Sequence, residues 1–191
     1  MNTMEAIYGR RSIRKFNSRE VPKALTEKIL DAATKAPSAM NRQPWRYVVL
    51  EGQKKEEVLA ILEKRVARLA KLQKDIGSAH ITIAHMRQAP VLILVFNGKS
   101  RAGGMIRLFS TALHVFDVQS MGASIQNLCL AAHELGLGTL WIGHVFWAGK
   151  SICKYVGKNE ELIAAVSVGW PDESPGPRPR KDLQEVTTWM D

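Results

Sequence analysis

Apolar and polar positions alternate along this chain in a way that predicts long helices around a few short strands. Residues 3–10 read as a short first helix, with Thr3 as its cap. Pro22 pre-sets the first turn of a second helix running to about Lys35, with Leu25, Ile29, Leu30 and Ala33 at helical spacing. Ala36-Pro37-Ser38 ends it, because the residue before a proline is pushed out of the helical region. A loop over 38–44 leads to a strand at Trp45–Leu50, then to a long charged helix at about 53–73 and another at 77–87. VLILVF (91–96) is the clearest buried strand. The stretch 97–108 holds three glycines and reads as a mobile loop. A helix over about 110–135 follows. Phe116, Met121, Ile125, Leu128 and Ala132 mark one of its faces, and Val115, Val118, Ala123 and Leu130 add apolar residues elsewhere. A helix apolar most of the way round is buried on several sides, which suggests a subunit interface. Gly136 and Gly138 end it. A strand at 139–142, a helix at about 147–157 and a strand at 162–168 complete the pattern. Leu183, Val186 and Trp189 are spaced apolar residues in the last stretch, which is expected to dock on something. Strands this few, with no regular βαβ alternation, argue for one α+β domain over 1–191 rather than a doubly wound sheet.

Composition narrows the function classes. With 191 residues, 46% of them hydrophobic, the chain can bury a sizeable core. No apolar run reaches the ~18 residues a membrane span needs, and the first residues, MNTMEAIYGRR, lack the build of a secretory signal. Cys129 and Cys153 have no metal-ligand spacing, Cys129 reads as a small buried hydrophobe, and a reducing cytoplasm is expected. The five histidines form no metal signature. The net charge of +9 invites a nucleic-acid reading, but no helix-turn-helix, zinc-finger or RNP-like signature supports it. Many of the cations lie on the 53–73 helix among Glu56, Glu57 and Glu63, as on a solvated face. Others form compact clusters at the two chain ends, Arg10, Arg11 and Arg14 and then Arg178, Arg180 and Lys181, which suit a small anionic ligand better than a long duplex.

Two segments carry the chemistry. Arg10-Arg11-Ser12-Ile13-Arg14-Lys15-Phe16 packs four cations and a hydroxyl behind a short helix. Guanidinium forks suit a phosphate. In an extended segment Arg10, Ser12 and Arg14 would share one face, and Arg11, Ile13 and Lys15 the other. The second segment, Ala36-Pro37-Ser38-Ala39-Met40-Asn41-Arg42-Gln43-Pro44-Trp45, sets Ser38, Asn41 and Gln43 in a loop between two prolines, where they can face a polar heterocycle edge.

Together these motifs resemble the nitroreductase family, and Gly136-Leu137-Gly138-Thr139, Gly143, Val168-Gly169-Trp170-Pro171 and Arg178-Pro179-Arg180-Lys181 extend the resemblance in order along the chain. It implies an α+β nitroreductase-like fold, with a central mixed or antiparallel sheet flanked by helices, in an intertwined homodimer holding two FMN molecules at its interface. Arg10 and Ser12 would bind the phosphate and ribityl chain, with Arg11 in the same segment. Arg14 would lie near the N1 and C2 carbonyl edge. Pro37, Ser38, Ala39 and Asn41, and less directly Gln43, would come from the other subunit. Trp141, Ile142 and Gly143 would run past the flavin, with the Gly143 amide near N5, and Arg178 and Arg180 would return to the phosphate. The flavin performs the redox step, so no catalytic side chain is required. NAD(P)H would be the donor, and a nitroaromatic, a quinone or a related small electrophile the acceptor. Relatives in the family dehalogenate iodotyrosine, destroy flavin to make a cobalamin ligand, or oxidise azoline rings, and flavin binding without turnover is a further alternative. Beside the flavin segment His144 is a candidate proton donor, Trp141 and Trp147 read as packing residues, and Phe109 is a candidate for the substrate face.

Overall fold

A computed structural model describes residues 1–72, 74–98 and 107–190, and their side chains except those of 107–110. The glycine-rich loop is therefore outside the described residues over 99–106, as is the side chain of Phe109.

Four strands, β1 (Trp45–Glu51), β2 (Val91–Asn97), β3 (Gly138–Ile142) and β4 (Glu161–Gly169), form one sheet in the order β1-β2-β4-β3, each neighbouring pair antiparallel. The helices are α1 (Thr3–Gly9), α2 (Lys23–Thr34), α3 (Gly52–Lys71), α4 (Ala79–Gln88), α5 (Arg107–Glu134), α6 (Gly149–Tyr155) and α7 (Leu183–Val186). Side chains of β2 alternate between two cores. Leu92, Leu94 and Phe96 meet Val58, Leu59 and Leu62 of α3, Ile83 and Met86 of α4 and Ile152 of α6. Val91, Ile93 and Val95 meet Ile29 and Ala33 of α2 and Met121, Ile125 and Leu128 of α5. Helices cover the sheet on both faces, which is why VLILVF is apolar without alternation.

Most expected elements are present, with shifted ends and some corrections. Asn2, not Thr3, caps α1, in a capping box with Glu5. The helix expected from 147 begins earlier, as a 3-10 turn over His144–Ala148 that runs into α6. Phe116 does not share the face of Met121, Ile125 and Leu128: those three are fully buried, whereas Phe116, five residues before Met121 and so about 140° round the helix, is 41% exposed, and Asp117 holds the buried position instead. Val115 and Val118 are also exposed. Trp141 is not a core residue either; it is 46% exposed, its ring edge over Gly122 of α5. The short α7, with its Asp182–Glu185 capping box, was not expected, and Leu183, Val186 and Trp189 stand exposed rather than docked among the described residues. Among the described residues no helix is long and apolar enough to cross a membrane, and no cluster of His, Cys, Asp or Glu could hold a metal ion.

Two glycines test how tightly the arm after α1 is packed against the sheet. A Cβ on Gly169 would stand 2.6 Å from Pro90 Cδ and 2.9 Å from Phe16 Cδ1, whereas one on Gly143 would meet nothing within 4 Å. Overpacking of this kind costs about 1–3 kcal/mol. Gly169→Ala should therefore lower Tm by about 3–10 °C, while Gly143→Ala, at φ −90°, should move it by no more than about 2 °C. Equal melting of the two variants would show that the arm does not press on β4.

Candidate functional site

The first candidate segment leaves α1 at Arg10, whose extended backbone (φ −56°, ψ 135°) ends the helix. Arg11 turns back and donates from Nη1 to the carbonyls of Tyr8 (2.6 Å), Gly9 (3.1 Å) and Arg10 (3.0 Å). Those last-turn carbonyls lack helical partners, and a cation there also suits the helix dipole. The arm then meets the sheet edge. Ser12 bridges Thr139 of β3 in parallel, and the Ile13 amide donates to the Thr139 carbonyl at 2.9 Å. Ile13 is buried against Gly138, where a Cβ would come within 2.8 Å of it. Gly138 is thus small because the arm crosses it.

Beyond β4 the chain returns along the other side of this arm. The Asn17 amide donates to the Trp170 carbonyl (3.1 Å), the Asp172 amide to the Lys15 carbonyl (2.9 Å), and Phe16 bridges Pro171. The Glu173 carboxylate accepts from the amides of both Arg14 and Lys15. Arg19 stacks over Trp170 at 4.2 Å, and the Trp170 indole donates to the Glu20 carbonyl.

This double seam brings the chain ends together. A cavity of about 280 Å³ is lined by Arg10, Arg11, Ser12 and Arg14 from the arm and by Arg178 and Arg180 from the tail, with Ile7, Tyr8 and residues 175–177 completing the wall. Five guanidinium groups line it and no carboxylate does. Ile13 and Lys15 point elsewhere, as alternation along an extended segment requires, but Arg11 also reaches the cavity rim. Arg14 is steadied by donating from Nη1 to the Ser12 carbonyl at 3.1 Å. The positive field extends to neighbours. His133 is held below the ordinary histidine value, by burial first and then by the charges of Arg10 and Arg11. Cys129 is pushed up by burial, against the smaller opposing pull of a Thr139 hydrogen bond and of Arg10.

The second segment lies elsewhere in the chain, and residues 37–43 do not line this cavity. A 3-10 turn, Ala39–Asn41, follows Ser38. Met40 (φ 51°), Asn41 (φ 51°) and Gln43 (φ 45°) are all left-handed, a costly conformation for residues other than glycine. Two anchors hold them there. Arg42 forms a fork to Asp117 of α5, Nε to Oδ1 at 2.9 Å and Nη2 to Oδ2 at 3.1 Å, with the Asp117 side chain 3% exposed. The Asp117 carboxylate raises the Arg42 pKa above its ordinary value, chiefly through that hydrogen bond. The Ala39 amide donates to Ser120 Oγ, and the Gln43 amide to Ser38 Oγ at 3.0 Å. Gln43 also donates from its side chain to Asn41 Oδ1. The loop is thus set rigidly, with Met40 70% exposed at its tip.

The third segment ends β3. The Ile142 side chain is buried in the core, which leaves only its main chain for a ligand, while Trp141 and Gly143 are exposed. A Cβ on Gly143 would meet nothing within 4 Å, so space is open beside its main chain. His144 and Trp147 meet edge to face at 6.4 Å.

The sequence reading missed Glu173, Asp117 and Ser120, which hold the site without forming its motif. No sequence pattern announces a partner that lies 75 or 159 positions away. Arg42 was legible only as one letter of the loop motif.

The nitroreductase family model matches residues 7–170. The chain belongs to the nitroreductase family. A relative from Methanothermobacter thermautotrophicus, provisionally named an NADH dehydrogenase/NAD(P)H nitroreductase, is 35% identical over 190 residues, covering 97% of this chain and 86% of that protein. An iodotyrosine deiodinase from Thermotoga neapolitana is 27% identical over 187 residues, 93% of this chain and 91% of its own. Among solved structures, a protein from Desulfovibrio desulfuricans, provisionally assigned as a nitroreductase and crystallised in complex with FMN, superposes with a TM-score of 0.76 at 29% identity, over 100% of this chain and 98% of that one. A helix-flanked, four-stranded antiparallel sheet is therefore a nitroreductase-like fold in this chain.

A double-mutant cycle on Arg42 and Asp117 measures how far their fork holds the left-handed loop. A coupling of about 1–3 kcal/mol in urea unfolding is expected. Additive effects of Arg42→Ala and Asp117→Ala would show that the loop is held by its main chain alone.

Proposed function

We propose that residues 1–191 form one domain of an FMN-dependent NAD(P)H oxidoreductase that works as a homodimer and reduces a small electrophile such as a nitroaromatic or a quinone. The five-arginine cavity carries this reading. Five guanidinium groups gathered with no carboxylate among them suit an anion, and the phosphate dianion at one end of FMN has the right size and charge for forked donors. Arg10, Ser12, Arg178 and Arg180 would hold that phosphate and the chain leading to it. Arg11, occupied by the carbonyls that end α1, would act on it mainly through its charge. The bound flavin would supply two-electron transfer. Arg14 would stand at the edge that gains negative charge on reduction, and the Gly143 amide would present a donor beside the exposed Trp141. The main chain of Ile142 would complete that wall.

Dimerisation follows from what one chain leaves unfinished. Met4, Ile7 and Tyr8 on α1, Val115, Phe116 and Val118 on α5, and Leu183, Val186, Trp189 and Met190 in the tail are all exposed. Exposed apolar side chains on α1, α5 and the tail favour an interface that covers them. The prearranged loop of Pro37, Ser38, Ala39, Asn41 and Gln43 would complete the partner's flavin site. Relatedness to an iodotyrosine deiodinase favours a second reading, reductive dehalogenation at the same site.

The purified protein should be yellow, should scatter light as a particle of twice the monomer mass at low micromolar concentration, and should lose its flavin absorbance when titrated with NADPH or NADH without oxygen. A colourless protein sinks the cofactor assignment. A flavin-loaded monomer sinks the shared site, and colour that neither nucleotide bleaches leaves a flavin carrier instead of a reductase.

Arg14→Gln keeps a hydrogen-bonding side chain and removes the charge. It should still bind oxidised FMN while lowering the midpoint potential by tens of millivolts, since 1.4 kcal/mol corresponds to about 30 mV for two electrons. Anaerobic spectroelectrochemistry reads this directly. An unchanged or higher potential would place Arg14 away from the reducible ring.

A further inference from the structure

A second concentration of positive charge lies on the helical layer of α3 and α6. A groove of about 730 Å³ there is walled by Lys64, Arg65 and Arg68 of α3, by Phe146 and Trp147, and by Lys150 of α6, with no carboxylate among its lining residues. Past Phe146 and Lys150 it continues into a hollow of about 630 Å³ that holds Lys154 and Lys158. Of the two acidic residues at that far end, Glu160 pairs with Lys158 at 3.6 Å and Glu161 lies 3.4 Å from His114 Nδ1. The acids of α3 are spent elsewhere. Glu56 and Glu63 pair with Arg87 of α4, and Glu57 bonds Lys54 and Tyr155. Lys64, Arg65, Arg68, Lys150 and Lys154 form no ion pair among the described residues. Lys64 and Arg68, four apart on one helix, repel each other, which weakens the helix unless an anion lies between them.

The expected solvated face of mixed charges is thus partly sorted in space: Glu56 and Glu63 turn toward Arg87 of α4, Lys64, Arg65 and Arg68 wall the groove, and Glu57, two turns before Lys64 on the same face, is held by Lys54 and Tyr155. Concavity and volume match a small-molecule site rather than a flat protein-docking surface. Phe146 is 57% exposed, and Trp147 stands beside it. Arg65 is pinned by donating from Nε to the Trp147 carbonyl at 3.1 Å. Cations beside aromatic faces, one of them pinned, suit a ligand that carries both phosphate and a heterocyclic base. Its aromatic wall belongs to the 3-10 turn that directly follows Gly143.

We propose that this groove binds the adenosine-phosphate half of the reduced pyridine dinucleotide, and that its cations select NADPH over NADH by holding the 2′-phosphate. The proposal rests on the reading of the chain as a pyridine-nucleotide oxidoreductase, and it names the form of the donor. Its test needs neither flavin nor turnover. Adenosine 2′,5′-bisphosphate and adenosine 5′-monophosphate are titrated into the purified protein by calorimetry. Wild type should bind the bisphosphate at least about tenfold more tightly, as one charged hydrogen bond to the extra phosphate implies, with a margin that shrinks as salt is raised. The double variant Arg68→Gln/Lys150→Gln changes two exposed side chains and should abolish the margin while melting at the wild-type temperature. Equal affinity for the two probes in wild type, or a full margin kept by the double variant, overturns the proposal. A colourless protein that still prefers the bisphosphate through Arg68 and Lys150 would sink the flavin reading and leave the groove assignment standing. A yellow protein bleached equally by NADH and NADPH, with a bisphosphate affinity that ignores the double variant, would sink the groove alone.

Discussion

The structure depends on the seam in which the arm 12–17 is clamped between the β3 edge and the returning tail. Five arginines around about 280 Å³ repel one another, and nothing in their own chemistry would gather them. The Thr139 carbonyl, the buried Ile13 and Phe16, and the Glu173 carboxylate on two consecutive amides supply the opposing attraction. Each acts on the main chain or on apolar side chains, so none of these contacts ties up a guanidinium group that lines the cavity. Glu173 also sets one negative charge behind the arm without neutralising its front. For the proposed dianion the site would then be prearranged, its self-repulsion offset by packing that persists with or without the ligand.

The same division of labour holds the other half of the proposed site. Three left-handed residues in a stretch of four cost energy that a free loop would shed. The Arg42–Asp117 fork and the Ser120 hydroxyl hold them to α5, and α5 is in turn tied to α2 where Ser124 donates to the Ala33 carbonyl at 2.8 Å. Tyr47 of β1 closes the link by bonding Ser124, so the loop is braced at both ends by elements of one core. Strain maintained in this way on an exposed loop has no use in a lone chain. It has one if the loop must arrive ready-formed at a neighbour.

How much could be read from the sequence follows from the range of each interaction. Periodicity and punctuation are local, so β2, the Pro22 start of α2 and the glycine end of α5 were legible to within a few residues. Motif spacing also carried the arginine clusters, although their meeting in one cavity rested on family resemblance until the seam was seen. Local signals failed where distant contacts decide. The αL conformation of Met40 has no glycine to announce it, since Asp117 enforces it from 77 positions further along the chain. Phe116 stands five residues before Met121, a step that helical spacing does not carry on one face, and the buried position of that turn belongs to Asp117. Partial sorting of charge around α3 was likewise hidden, because a one-dimensional run of Lys, Arg and Glu looks mixed until the turn of the helix separates its faces.

The tail shows why the unfinished surfaces belong together. Residues 170–173 are held by the seam, but further along the tail Leu183, Val186, Trp189 and Met190 stand 62–92% exposed. Hydration of a Trp and a Leu so displayed costs about 1.5–3 kcal/mol each relative to burial, too much for a segment that otherwise gains only one turn of capped helix. Exposed apolar residues on α1 and on the first half of α5 present the complementary deficit. A two-fold partner would satisfy both at once, because an isologous contact gives each subunit the tail of the other. Arg178 and Arg180 immediately precede that tail, so the contact that buries Trp189 would also fix how the last two guanidinium groups close over the phosphate. In such an assembly, cofactor affinity and subunit affinity are a single linked quantity, each strengthening the other by the same factor.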